Sequence, residues 1–285
     1  MPIVQNGFSK VKGFFEFFSR YNSFIMENLI LDFTNFYKSI PIEDASLFHY
    51  IDCTDIESCS MYVTKEALAK ISARIFEYTP TGIHFLDNGN YHYVTELFLK
   101  KISEPFSLIL FDHHTDMQEP LIHELLSCGS WVRDALQTIP NLKFVDLIGP
   151  DIQNISEFSK EFSGKVRFIS ASELSDLSIN LEQAKMLFDA SDLPVYISID
   201  KDVLSSIYAR TNWNQGDLSL SVLKALLNLL FEEHRIIGAD ICGENDVNES
   251  ASQLISDLRI NQKTDEILFR YLSDLFEKYL AKSQR

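Results

Sequence analysis

The chain has 285 residues, 46% of them hydrophobic, and its 41 Asp and Glu against 25 Lys and Arg leave a net charge of −16. That length allows one large buried core, while the negative charge argues against nucleic acid or an anionic membrane surface as a partner, since both are polyanions. No window approaches the ~18 consecutive apolar residues of a membrane-spanning helix. The four cysteines, Cys53, Cys59, Cys128 and Cys242, form no CxxC pair and no dense framework, which points to free thiols and a cytoplasmic protein.

Residues 1–25 mix Phe8, Phe14, Phe15, Phe17 and Phe18 with Lys10, Lys12, Glu16 and Arg20. They lack the uninterrupted apolar run and small-residue cleavage site of a signal peptide. They read as an N-terminal extension: an amphipathic segment packed on the body, or residues upstream of a start at Met26. From residue 26 to 285 a single domain is expected, with no linker, low-complexity tract or repeat. A strand-like run at 29–33 comes first. Further strands are expected at 48–52, 83–86, 108–112, 144–148, 166–169, 195–200 and 236–241, several of them continuously apolar, as in strands buried on both faces. Apolar residues at three- and four-residue spacing predict helices over 66–77, 93–102, 122–136, 181–190 and 220–233. A closing amphipathic helix over 265–280 carries Ile267, Leu268, Tyr271, Leu272, Leu275 and Leu280 on one stripe. Strands alternating with helices imply βαβ units and a mainly parallel sheet in an α/β fold.

In such sheets functional groups gather beyond the carboxyl ends of the strands. Two ionisable clusters fall there. Asp112-His-His114-Thr-Asp116 ends one buried run, and Asp200-Lys-Asp202 ends another. Residues i and i+2 of an extended segment share a side, so Asp112, His114 and Asp116 can converge, as can Asp200 and Asp202. Carboxylates gathered this closely repel and do not stay ionised without a cation. Imidazole and carboxylate donors without thiolates suit Mn, Fe, Co or Zn at a working site rather than a structural zinc. Each residue also has a plainer use. An Asp ending a strand often caps the next helix, and a lone His such as His92 is more often structural.

The chain resembles the ureohydrolases: arginase, agmatinase and formiminoglutamase. Their fingerprints are Gly-Gly-Asp-His, Asp-Ala-His-x-Asp and Ser-x-Asp-x-Asp. Here the matching stretches are Gly89-Asn-Tyr-His92, Asp112-His-His114-Thr-Asp116 and Ser198-Ile-Asp200-Lys-Asp202, in the same order. The resemblance runs from about Leu47 to Asp246. It implies a three-layer α/β/α sandwich around a sheet of roughly eight strands, and a site for two Mn2+ ions, with Fe, Co or Zn as substitutes. Asp112 and Asp200 would bridge the ions, His92 and Asp116 would complete one shell, and His114 and Asp202 the other. A hydroxide between the metals would attack a trigonal C–N carbon of a guanidino, amidino, formimino or amide compound.

The departures concern substrate and proton transfer. The family's Gly-Thr-Gly-Thr-Pro-like loop is here Ala209-Arg-Thr-Asn-Trp213-Asn-Gln-Gly-Asp217, bulkier and more polar. Arg210, Asn212 and Trp213 are therefore candidate substrate contacts, or else packing and surface groups. A His-Gly pair appears as Cys128-Gly129, so that Cys128 is either a proton-transfer group with a depressed pKa or a small buried hydrophobe. The family's Asp-x-x-Glu becomes Asp240-Ile-Cys-Gly243-Glu244, which makes Glu244 a candidate substrate or acid/base carboxylate, or a solvated loop charge. His84, His113, His123 and His234 have no assignable role, although His113 is expected to pack beneath the site. The first reading is a C–N hydrolase acting on a small molecule other than arginine, with homo-oligomerisation open. The alternatives are a single-zinc deacetylase-like amidohydrolase and a non-catalytic metal-binding protein of the same fold.

Overall fold

A computed structural model of the chain describes residues 26–39, 45–122, 125–151, 161–177, 192–245 and 251–282. The N-terminal extension, the helix expected over 181–190 and His123 lie outside the described residues. In chain order the strands are β1 Asn28–Asp32, β2 Phe48–Asp52, β3 Tyr62–Val63, β4 Ile83–Phe85, β5 Phe106–Phe111, β6 Leu126–Ser127, β7 Leu142–Ile148, β8 Val166–Ile169, β9 Val195–Asp200 and β10 Ile236–Cys242. The α-helices are α1 Phe36–Ser39, α2 Lys65–Arg74, α3 Thr95–Leu99, α4 Trp131–Thr138, α5 Ala171–Leu177, α6 Leu220–Glu233 and α7 Ala251–Lys282.

Eight strands form one sheet in the order β2-β1-β4-β10-β9-β5-β7-β8, and every neighbouring pair is parallel. The central strands are apolar without alternation because each face carries a helical layer. Along β5, Leu108 and Leu110 enter one hydrophobic cluster and Ile109 and Phe111 the other. On the first face, Ala67 and Ile71 of α2, Leu97 and Phe98 of α3, and Trp131, Val132 and Ala135 of α4 cover the sheet. On the second face, Leu223, Leu227 and Leu230 of α6 meet Leu268, Leu272 and Phe276 of α7 over Ile197, Ile199, Ala239 and Ile241. This is the three-layer α/β/α sandwich.

Local chemistry starts the helices where the pattern expects them. The Thr64 hydroxyl accepts from the Ala67 amide at the start of α2, and the Ser219 hydroxyl from the Val222 amide at the start of α6. Two expectations change. The helix expected over 122–136 begins only at Trp131, because Leu126–Ser127 pairs antiparallel with Tyr62–Val63 and the chain then turns through Cys128-Gly129. The closing helix starts well before residue 265, and ahead of the apolar stripe it buries the polar residues Asp257, Asn261 and Thr264. Among the described residues, no helix is long and apolar enough to cross a membrane.

Candidate metal centre

The four strands that deliver the ionisable residues, β4, β10, β9 and β5, are consecutive neighbours at the middle of the sheet. β5 delivers Asp112 and the segment behind it. β9 ends in Asp200, followed by Lys201 and Asp202 in a short turn. His92 sits in the 3-10 turn Gly89–Val94 that follows β4, started by Asn88, whose side chain accepts from the Asn90 amide.

These residues converge. His92 Nδ1 lies 3.3 Å from Asp112 Oδ2, 3.1 Å from Asp116 Oδ2 and 3.6 Å from Asp200 Oδ2. His114 Nδ1 lies 2.7 Å from Asp202 Oδ2 and 3.7 Å from Asp112 Oδ1. Two ligand groups result, His92–Asp112–Asp116 and Asp112–His114–Asp202, with Asp112 common to both. A third, His92–Asp200–Cys242, adjoins the first. All are buried except His114, which is partly open.

The ligands are held by groups that are not ligands themselves. The amides of His114 and Asp202 donate to Oδ1 of Asp112 and Asp200 at 2.6 and 2.8 Å, and the His113 amide donates to Asp202 Oδ1 at 3.0 Å. His92 Nε2 meets the Ser198 hydroxyl at 2.9 Å, and that hydroxyl lies 2.6 Å from Asp240 Oδ1. The Trp131 indole donates to Asp116 Oδ2 at 2.6 Å. Asp116 itself takes a left-handed backbone conformation, φ 50°, an uncommon state for a non-glycine residue that turns its carboxylate back to the site.

The electrostatics show what the site lacks. Burial, together with repulsion from Asp202 and Asp112, pushes the Asp200 carboxyl up to about 7. Burial and Asp112 push Asp202 up to about 6. For His114, burial opposes the cation, but hydrogen bonds to Asp112 and Asp202 raise its pKa to about 11. For His92, burial is likewise outweighed, here by Cys242, Asp112 and Asp116, and the pKa rises. His92 Nδ1 and Asp112 Oδ2 are buried without any hydrogen-bond partner. Unpartnered nitrogen and oxygen donors in a nest of mutually repelling carboxylates fit a divalent cation.

Residues 29–253 match the Arginase family. The chain belongs to the arginase family. Over 219 residues it is 34% identical to an uncharacterized protein of Thermotoga maritima, covering 76% of this chain and 79% of that one. The fold is similar to that of proclavaminate amidino hydrolase from Streptomyces clavuligerus (TM-score 0.62, 16% identity, covering 87% of this chain and 92% of that one). It is also similar to that of Trypanosoma cruzi formiminoglutamase with Mn2+ (TM-score 0.59, 15% identity, covering 86% and 94%). Arginase-family members are metal-dependent hydrolases, and this chain has their fold and candidate metal-ligand groups.

The positions where the chain departs from the family lie around the metal residues. Glu244 is not a solvated loop charge: it is fully buried. Its Oε1 receives the Lys201 ammonium and, at 3.1 Å, the Tyr37 hydroxyl; its Oε2 receives Asn261 Nδ2 at 3.0 Å. Both oxygens are thus engaged by protein groups. Gly243, at the family's Glu position, has φ 96°, and a Cβ there would meet Asp200 Oδ1 at 2.5 Å, so this backbone leaves no room for the missing carboxylate. Cys128 is buried near Asp116 and Asp200, and its thiol is pushed up to about 12, chiefly by burial. That is opposite to the depressed pKa a proton-transfer role needs. Arg210 is already paired, its Nε 3.3 Å from Asp257 Oδ1.

Trp213 and Asn212 reach the site. Their Nε1 and Nδ2 each donate to Asn90 Oδ1 at 3.0 Å. The Trp213 ring lies 5.8 Å from that of His114, edge to face. It packs so closely on Gly89 that a Cβ there would meet its Cδ1 at 2.8 Å. The His113 amide donates to Asp202 Oδ1, and its Nδ1 is buried without a partner. His84 stacks on Phe98 in the core at 4.3 Å. Sequence reasoning missed Lys201 and Cys242 as neighbours of the site. For Cys242 a signal existed: Asp240 and Cys242 end β10 in the same i, i+2 relation that singled out Asp200 and Asp202.

Proposed function

We propose that the protein is a binuclear-metal hydrolase that cleaves a C–N bond of a small guanidino, amidino, formimino or acylamino compound other than arginine. The observation that supports it best is the pair of three-residue ligand groups sharing Asp112, with unpartnered donor atoms on His92 and Asp112. His92 and Asp116 would hold one ion, His114 and Asp202 the other, and Asp112 and Asp200 would contact both. Bound divalent cations supply Lewis acidity and lower the pKa of water, so that a nucleophile is available near neutral pH.

The rest falls to the chain. Ser198 and Asp240 fix the His92 ring so that Nδ1 faces the carboxylates. Trp131 fixes Asp116, and the amides of His113, His114 and Asp202 orient the carboxylates. Trp213, tethered with Asn212 to Asn90, walls the open side next to His114 and keeps water from reaching the substrate freely. Arginine does not suit the site: Glu244 is occupied by Lys201, Tyr37 and Asn261, and Gly243 provides no carboxylate to receive a guanidinium. Proton transfer to the leaving nitrogen is assigned to water rather than to the Cys128 thiol, since His114 is taken up as a ligand and the thiol is pushed up by burial.

The test is metal content by elemental analysis, on protein expressed with manganese and dialysed, followed by a panel of guanidino, ureido, formimino and acylamino substrates. Close to two ions per chain with turnover of one class supports the proposal. One ion per chain supports the single-metal, deacetylase-like alternative. Two ions with no turnover across the panel supports a non-catalytic protein, and folded protein without metal overturns the site altogether.

A further inference from the structure

We propose that Cys242 is an additional protein ligand at the metal position built by His92, Asp112, Asp116 and Asp200, and that its thiolate turns this position toward zinc, cobalt or iron and away from manganese. The inference rests on the metal-site reading above and adds to it a donor that the Asp and His motifs do not contain.

Strand pairing puts the thiol there. β10 lies beside β9 with Cys242 opposite Asp200 and Asp240 opposite Ser198. Paired positions on adjacent parallel strands share a face of the sheet. Asp240 and Ser198 meet on this face, and two residues further on Cys242 meets Asp200, its Sγ 3.2 Å from Asp200 Oδ2. Sγ, a ring nitrogen of His92 and a carboxylate oxygen of Asp200 all lie within 4.8 Å of one another. The next residue, Gly243, leaves by a positive φ of 96° and places no side chain between the sulfur and Asp200.

A buried cysteine beside a carboxylate can be a small core residue that donates S–H to it. The second observation separates this case from that one. His92 Nδ1 and Asp112 Oδ2, on residues each 1% exposed, have no hydrogen-bond partner and face the same space. They call for a ligand whether or not the cysteine is present. An ion held between His92 and Asp200 would have the sulfur in the same ligand group. Coordination breaks the S–H bond, releases the proton to solvent and forms a sulfur–metal bond with the sulfur electron pair; nothing is oxidised or reduced. Manganese favours oxygen donors and thiolate is soft, so an added sulfur shifts preference toward zinc, cobalt and iron.

X-ray absorption at the zinc edge tests this on the intact chain, loaded with zinc and checked for stoichiometry. Expected is a sulfur shell at ~2.3 Å beside nitrogen and oxygen at ~2.0–2.1 Å. It should vanish in Cys242→Ser and remain in Cys128→Ala. In zinc–manganese competition, Cys242→Ser is expected to shift the preference toward manganese on the order of tenfold. Two zinc ions with only nitrogen and oxygen neighbours in the unmodified protein overturn the role of Cys242 and leave the binuclear site standing. A sulfur shell that survives Cys242→Ser also overturns it. A folded chain that takes up no zinc overturns both.

Discussion

Asp200 and Asp202 join one buried cluster at the end of β9 and Lys201, between them, joins another, and the two clusters balance their charge in different ways. Around Asp200 and Asp202 stand Asp112 and Asp116, with two imidazoles and, among the described residues, no ammonium or guanidinium paired to them. Around Lys201 stand Glu244 and Asp265, whose Oδ1 lies 2.5 Å from the ammonium, with Tyr37 and Asn261 closing the group. The second cluster carries its own cation, although Asp265 Oδ2 stays buried without a partner and burial beside Glu244 raises the Asp265 carboxyl. The first has no lysine or arginine paired to it among the described residues, and it leaves a ring nitrogen of His92 as well as a carboxylate oxygen of Asp112 unpartnered. A chain that sets a buried lysine against Glu244 and Asp265 but none against the adjacent residues Asp200 and Asp202 fits a cluster kept for a cation from outside.

The sharpest way to break this contrast is to remove a shared ligand. Asp112→Ala or Asp200→Ala should reduce metal content from two ions to at most one and hydrolysis to background; elemental analysis showing two ions in either variant would refute the bridging assignment. Next comes the Lys201 cluster. Lys201→Met leaves Glu244 and Asp265 buried without their cation and should destabilise the fold by ~3–5 kcal/mol in urea unfolding. A loss under about 1 kcal/mol would mean the network contributes little.

Third is pH. In the metal-free protein, Asp200 at about 7 and Asp202 at about 6 sit above their ordinary values. A folded pKa above the unfolded one gives stability that is complete below ~4 and is lost as pH rises through the folded value. Asp87, pushed up to about 7 mainly by burial, and Asp240, up to about 6 for the same reason, act in the same direction. Burial holds His84 down at about 3, so it acts oppositely, but only below its ordinary value of ~6.5. Between pH 6 and 8 the metal-free Tm should therefore fall, on the order of 5 °C, and the metal-loaded Tm should not. A rising metal-free Tm in that window would contradict the charge assignment. The smallest effect is expected from Trp131→Phe, which keeps the packing and removes the indole donor to Asp116. Metal affinity should weaken by about 10- to 100-fold at little cost in stability; unchanged affinity in a metal titration would limit the indole to packing.

The sheet was legible because its strands obey one local rule. The run 195–200 is buried on both faces, and the structure returns it as Val195–Asp200. The i, i+2 rule likewise brought Asp112 with His114 and Asp200 with Asp202. What stayed hidden depends on pairing between distant strands and helices. Lys201 reads as a surface charge until β10 and α7 are in place, since its partners are 43 and 64 residues away. Cys242 reads as a core residue until β10 is set beside β9. The helix expected over 122–136 failed for the same reason: Leu126–Ser127 is a strand only because Tyr62–Val63 lies beside it.

The Lys201–Asp265 contact also bears on how the chain is made. Lys201 is synthesised 64 residues before Asp265 and 43 before Glu244. At ~5–20 residues per second the ribosome needs roughly 3–13 s to cover the longer interval. Through that time the ammonium has no second carboxylate, and the end of β9 cannot be buried at low cost. Burial of the end of β9 is therefore expected to become inexpensive only after the Asp265 segment of α7 has emerged, which ties closure of the sheet's centre to a residue made well after its own strands.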